Sequence, residues 1–125
     1  MKSPTILVID DDPFSVMGLF DEVTDAGFKV VFKVISDDIL SLLSENRADV
    51  VVIDIMMDPA SRYNAMESHG GFITGQLLAR EIRDQFPDQK IVAYSLHRDA
   101  GIQEWFSNQE GMVFVEKGRC CRTHA

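Results

Sequence analysis

Val50-Val51-Val52-Ile53-Asp54 is a run of four β-branched apolar residues that ends on a carboxylate. With no polar alternation, it suits a strand buried on both faces, as in a parallel sheet. In open α/β sheets, ligand chemistry sits just beyond the carboxyl ends of the strands, where Asp54 stands. Ile6-Leu7-Val8-Ile9, followed by Asp10-Asp11-Asp12, repeats the pattern. If these strands are neighbours, as many as four carboxylates converge at one edge of the sheet.

Outward from these runs, helices and strands alternate. Asp12-Pro13 supplies a helix cap followed by proline at the first helical position. Val16, Leu19, Phe20 and Val23 then fall on one helical face, and Gly27 ends the helix. Lys29 to Ile35 reads as a second strand, its lysines suiting a sheet edge. Ser36-Asp37 caps a short helix carrying Ile39, Leu40, Leu42 and Leu43. After the Val50–Ile53 strand, Asp58 to Gly71 is polar and rich in breakers, so it reads as a long loop. Helical spacing resumes at Ile73, Leu77, Leu78 and Ile82 and stops before Pro87. Lys90 to Ser95 is the fourth strand, Arg98 to Ser107 a helix and Met112 to Val115 the fifth strand. The order βαβαβαβαβ predicts an α/β fold, a doubly wound parallel sheet with right-handed crossovers.

The bulk properties narrow the function. A chain of 125 residues is expected to form a single domain, spanning 1–125. A net charge of −8 argues against nucleic acid or an anionic membrane as a direct partner. No apolar run reaches membrane-spanning length and no signal peptide opens the chain, so a cytoplasmic location is expected. Cys120 and Cys121 are adjacent and near the C-terminus, with no metal-ligand spacing. His69, His97 and His124 are scattered and make no metal site.

Functional groups collect at the strand ends: Asp10 and Asp11, Asp54, Ser95, and Lys117 just past the fifth strand. Crowded carboxylates repel one another, and a divalent cation relieves that repulsion. Oxygen-only ligands at a hydrated site favour magnesium or manganese. A cation and a lysine flanking one carboxylate would stabilise a phosphoryl group transferred to it.

The chain resembles the receiver domain of two-component response regulators from Thr5 to Lys117. The resemblance rests on Ile6 to Pro13, Val50 to Met57, Ile91 to Ser95 and Val113 to Lys117, in that order and each at a strand end. It implies a flavodoxin-like sheet of order 2-1-3-4-5. Asp54 then matches the phosphoacceptor, and Asp10 and Asp11 match the acidic pair. Asp11, Asp54 and the backbone carbonyl of Met56 would contact the metal, with Asp10 acting mainly through water. Ser95 matches the switch hydroxyl, Lys117 the phosphate-pairing lysine and Phe114 the aromatic whose rotamer follows phosphorylation. The implied partners are a histidine kinase or phosphotransfer protein and a downstream target. By the same resemblance the domain catalyses only its own phosphorylation and dephosphorylation, and is not a metabolic enzyme.

Four features depart from the family pattern. The loop at about 55–72 is longer, placing Gly75 late. Gly118 stands where proline is usual, and Leu96 follows the switch serine where a small residue is common. The final helix is missing, since only residues 118–125 remain after Lys117. That last departure predicts an uncovered apolar strip on the first-helix side of the sheet, and hence a homodimer or a partner packed there.

Blander readings stand beside these. Asp12 reads as a helix cap rather than a metal ligand. Phe114 reads equally as plain core. Two other functions remain open: a receiver-like binding module that is not phosphorylated, and a magnesium-dependent phosphatase of the haloacid dehalogenase type built on Asp10-Asp11-Asp12. The first leaves the full set of strand-end groups unexplained, and the second leaves Asp54 without a role.

Overall fold

Each apolar run forms a strand. Thr5–Ile9 (β1), Lys29–Lys33 (β2), Val50–Ile53 (β3), Lys90–Ser95 (β4) and Met112–Glu116 (β5) make one sheet in the order β2-β1-β3-β4-β5. Every neighbouring pair is parallel. The connections carry the helices Met17–Asp25 (α1), Ile39–Glu45 (α2), Thr74–Gln85 (α3) and Ala100–Ser107 (α4). The structure, a computed structural model, describes residues 4–11, 17–36, 38–45, 47–57, 63, 64, 66, 73–95 and 100–116, with the backbone alone for 17–20 and 95. The expected cap at Asp12-Pro13, most of the long loop and the segment 117–125 lie outside them.

Side-chain alternation along the strands divides the core in two. Leu7, Ile9, Val51, Ile53, Ile91, Ala93 and Met112 face the larger cluster. There they meet Ile39 and Leu43 of α2, Leu78 and Ile82 of α3, and Ile102 and Phe106 of α4. Ile6, Val8, Val52 and Tyr94 face the smaller cluster, against Val23 of α1 and Phe28. Three helices therefore cover one face, and α1 lies on the other. Among the described residues no helix follows β5. On the α1 side, Val113 of β5 is 55% exposed, whereas Val8 of the central β1 is 1% exposed.

The helix end at Gly27 follows from its backbone. At φ +97° this residue takes the left-handed conformation that glycine enters without steric cost. Gly27 N–H then donates to the Thr24 carbonyl at 3.0 Å and Phe28 N–H to the Val23 carbonyl at 3.0 Å. This is the Schellman arrangement, and Phe28 and Val23 pack in the same cluster.

Two strand boundaries differ from the sequence reading. β2 stops at Lys33 rather than Ile35, because the chain leaves the sheet there: Val34 is 54% exposed and Ile35 turns into the main core. β5 runs one residue further, to Glu116, which pairs in register with Ser95. At the opposite end of the sheet, buried Gln89 donates to the carbonyls of Ala48 and Lys90, each at 3.1 Å, and so joins the entries to β3 and β4. No helix among the described residues is long and apolar enough to cross a membrane.

Candidate functional site

The register of β1 and β3 builds the site. Ile9 lies opposite Ile53, so the next residue on each strand is an aspartate. The backbone holds both in place. Asp10 N–H donates to the Lys33 carbonyl at 3.2 Å, and Asp54 N–H to the Ile9 carbonyl at 3.1 Å. Asp10 and Asp54 thus stand side by side at the carboxyl end of the sheet, with Asp11 following. One carboxylate oxygen from each of Asp10, Asp11 and Asp54 lies within 4.8 Å of the others. Asp10 is 1% and Asp54 7% exposed, while Asp11 reaches solvent.

Three negative charges at this spacing repel strongly. At an effective dielectric near 20, two unit charges 4 Å apart interact by about 4 kcal/mol. The donor set is all oxygen, converges from two strands and opens to water on the Asp11 side. That chemistry fits a hard divalent cation such as magnesium. Asp54 is also oriented locally, because Met56 N–H donates to its Oδ1 at 3.2 Å. The Met56 side chain is exposed, and that of Met57 is buried.

The start of α3 presses against this carboxyl end. Gly75 N–H donates to the Ile55 carbonyl at 2.8 Å. A Cβ on Gly75 would lie 2.2 Å from the Asp54 carbonyl oxygen and 2.6 Å from Ile55 Cα. The fully buried Thr74 donates its hydroxyl to the Met57 carbonyl at 2.7 Å. Glycine at 75 is thus what allows the helix to approach the backbone of the candidate phosphoacceptor. The Tyr63 hydroxyl donates to Glu81 of α3, and its ring packs against the main core. This described part of the long loop is therefore anchored to α3.

The other expected site residues are placed as follows. Ser95 ends β4, on the strand next to β3, with its side chain outside the description. Phe114 is half-buried on the main core, its ring 6.2 Å from that of Phe106 and tilted by 52°. Lys117, Leu96 and His97 lie outside the described residues. Sequence reasoning missed the close packing of Thr74 and Gly75 on residues 54–57. A Thr-Gly pair at the start of a helix that follows a long loop was the available signal.

No family model matches this chain, and no curated protein matches it. Solved structures do match it, along nearly its full length. A response regulator protein from Thermotoga maritima in complex with Mg2+-BeF is 24% identical, with TM-score 0.69 over 93% of this chain and 88% of that one. A response regulator protein from Burkholderia pseudomallei, carrying a phosphorylated aspartic acid, a calcium ion and citrate, is 16% identical, with TM-score 0.69 over 93% and 61%. The RcsB response regulator of Salmonella typhimurium, described for its conformational dynamism in DNA interaction, is 19% identical, with TM-score 0.71 over 94% and 53%. This chain thus spans about half the length of the Salmonella protein. Likeness at these identities carries the fold, which is that of response regulator receiver domains.

Proposed function

We propose that this chain is a phosphoryl-accepting receiver, with Asp54 as the residue phosphorylated by a histidine kinase or phosphotransfer protein. The observation that carries the reading is the convergence of the Asp10, Asp11 and Asp54 carboxylates at the carboxyl end of β1 and β3. The receiver fold, and neighbours solved with Mg2+-BeF or a phosphorylated aspartic acid, support it.

In this mechanism a carboxylate oxygen of Asp54 forms a new P–O bond while the P–N bond of the donor phosphoimidazole breaks. The electron pair of the broken bond stays on the imidazole nitrogen. Hydrolysis of the acyl phosphate later returns inorganic phosphate and the free carboxylate. Asp10, Asp11 and Asp54, with the Met56 carbonyl, would hold magnesium or manganese. When bound, the cation offsets the charge of the carboxylates and of the incoming phosphoryl oxygens. Met56 N–H fixes the rotation of the Asp54 carboxylate. Lys117 supplies a positive charge to the phosphoryl group, and Ser95 a hydroxyl. Phe114 repacks beside Phe106 as the switch, passing the state of Asp54 to a downstream target. The site is given over to this one transfer and the later hydrolysis of its product, in a cytoplasmic protein.

Intact mass after incubation with acetyl phosphate tests the reading. A single phosphoryl addition is expected with magnesium and none in the presence of a chelator. A protein that gains no mass with magnesium, or turns over the donor without retaining phosphate, is not a receiver of this kind.

Self-association belongs to the same reading. Val113 stands 55% exposed on the α1 side of β5, while Ile6, Val8, Val52 and Tyr94 of the same face are buried, so the opening on this side lies at the β5 edge of the sheet. A homodimer through this face is expected by light scattering at micromolar concentration, with Val113→Glu returning it to monomer. A wild-type chain that stays monomeric refutes the dimer and leaves the phosphoacceptor reading intact.

A further inference from the structure

A groove of about 530 Å3 runs between the edge strand β2 and α2, its Lys33 end next to Asp10 and the rest extending toward the opposite end of the sheet. Its floor is apolar, formed by Leu7 of β1, Val31 of β2 and Leu42 of α2. Its rim is cationic, with Lys29, Lys33 and Arg47 against the single carboxylate of Glu45. On a chain of net charge −8, this groove is nevertheless lined by three cations against one carboxylate. Among the described residues no ion pair engages Lys29, Lys33 or Arg47. The Arg47 guanidinium instead makes a cation–π contact with the Phe86 ring, 4.8 Å from its centroid.

The spacing is specific. Lys29, Val31 and Lys33 alternate along β2, so all three project to the same face of the sheet. They stand opposite Thr5, Leu7 and Ile9 of β1. Four steps of about 3.3 Å separate the two lysines by roughly 13 Å. An extended segment lying along β2 has the same repeat. An acidic residue, an apolar residue two positions on and a second acid two further would match Lys29, the Leu7–Val31–Leu42 floor and Lys33 in turn. Lysines on an edge strand also serve to discourage edge-to-edge pairing. That role needs charge on β2 alone. It does not account for an arginine held at the same groove by a different segment, nor for an apolar floor between the cations.

We propose that the groove between β2 and α2 is a docking site for an extended acidic, amphipathic segment of a partner protein. It requires neither Asp54 nor a phosphoryl donor. The test is fluorescence anisotropy on the full chain, without donor, using a labelled Glu-Ser-Leu-Ser-Glu peptide and its Lys-Ser-Leu-Ser-Lys counterpart. The acidic peptide is expected to bind and the basic one not. Reversing both rim lysines (Lys29→Glu with Lys33→Glu) is expected to weaken binding about tenfold or more, the size of two exposed charge pairs lost and turned repulsive. Raising the salt should weaken it in the same direction. Circular dichroism shows whether the reversed variant is folded, and Arg47→Gln supplies an independent loss. Equal affinity for both peptides, or an affinity indifferent to the reversal, overturns the proposal. So does binding of dodecanoate without binding of the peptide, which assigns the groove to a small amphiphile. Self-association that the reversal abolishes assigns it to a second copy of this chain.

Discussion

Asp54→Asn will take up no phosphoryl group from acetyl phosphate and magnesium under conditions that label the wild type fully. The amide keeps the shape of the carboxylate but removes its charge and its nucleophilic oxygen. It also replaces one of the two Asp54 side-chain oxygens with an NH2 group, which cannot ligate a cation. Asp11→Ala is expected to keep the nucleophile and lose a ligand, so its labelling falls at least tenfold without vanishing; tenfold in rate corresponds to about 1.4 kcal/mol of barrier. Unfolding is the trivial explanation for such losses, and electrostatics separates it from the real one. Asn at 54 removes a negative charge from beside two others, where pairs near contact cost on the order of 4 kcal/mol at an effective dielectric near 20. In magnesium-free buffer the variant should therefore melt no lower than the wild type. Magnesium should raise the melting temperature of the wild type, by linkage of about 2.7 kcal/mol at a hundredfold excess over Kd. It should raise that of Asp54→Asn less. Labelling of Asp54→Asn at the wild-type level would remove Asp54 from the role, and a lowered melting temperature would show that charge crowding is not what the cluster stores.

The parts of this molecule legible in the sequence are those set by neighbouring residues. The runs Ile6–Ile9 and Val50–Ile53 are apolar on both faces, so they could only be interior strands, and each visibly ends on aspartate. That alone brings Asp10 and Asp54 together when the two strands are neighbours. Gly27 was legible as a stop for the same local reason. Features that depend on how distant elements approach one another were hidden. Nothing near Ile35 in the chain announces that the sheet is abandoned after Lys33, because β2 has β1 on one side only and the turn inward is driven by burial of Ile35 under α2. Lys29 and Lys33 read as an edge strand, which they are. The groove beside them appears only when Leu42 and Arg47 are brought over the same face. The Tyr63–Glu81 contact joins positions across a loop whose length carries no information about where it is pinned.

Gly75→Ala will destabilise the protein by about 3 kcal/mol or more, the upper part of the range for inserting a methyl group into packed backbone. The sign matters, because in an open helix the same change stabilises by up to about 1 kcal/mol through helix propensity. Here the added carbon would sit 2.2 Å from the Asp54 carbonyl oxygen and 2.8 Å from the Asp54 carbonyl carbon. Those atoms belong to the backbone of β3 and its exit, which cannot rotate aside as the end of a side chain would. Relief requires α3 to lift away from residues 54–57. The lift would stretch the Gly75 N–H bond to the Ile55 carbonyl, now 2.8 Å, and the Thr74 hydroxyl bond to the Met57 carbonyl, now 2.7 Å. Each contributes about 0.5–1.5 kcal/mol, and more where a buried group is left unpaired. Movement there also displaces Met56 N–H, which orients the Asp54 carboxylate, so phosphorylation should slow even in the molecules that stay folded. Thermal melting and the initial rate of mass gain measure the two effects separately. Gly101→Ala, at an exposed position in α4, is the control and should melt no lower than the wild type. If Gly75→Ala behaves like that control in both measurements, α3 does not press on the Asp54 backbone, and the close approach at the site is absent in solution.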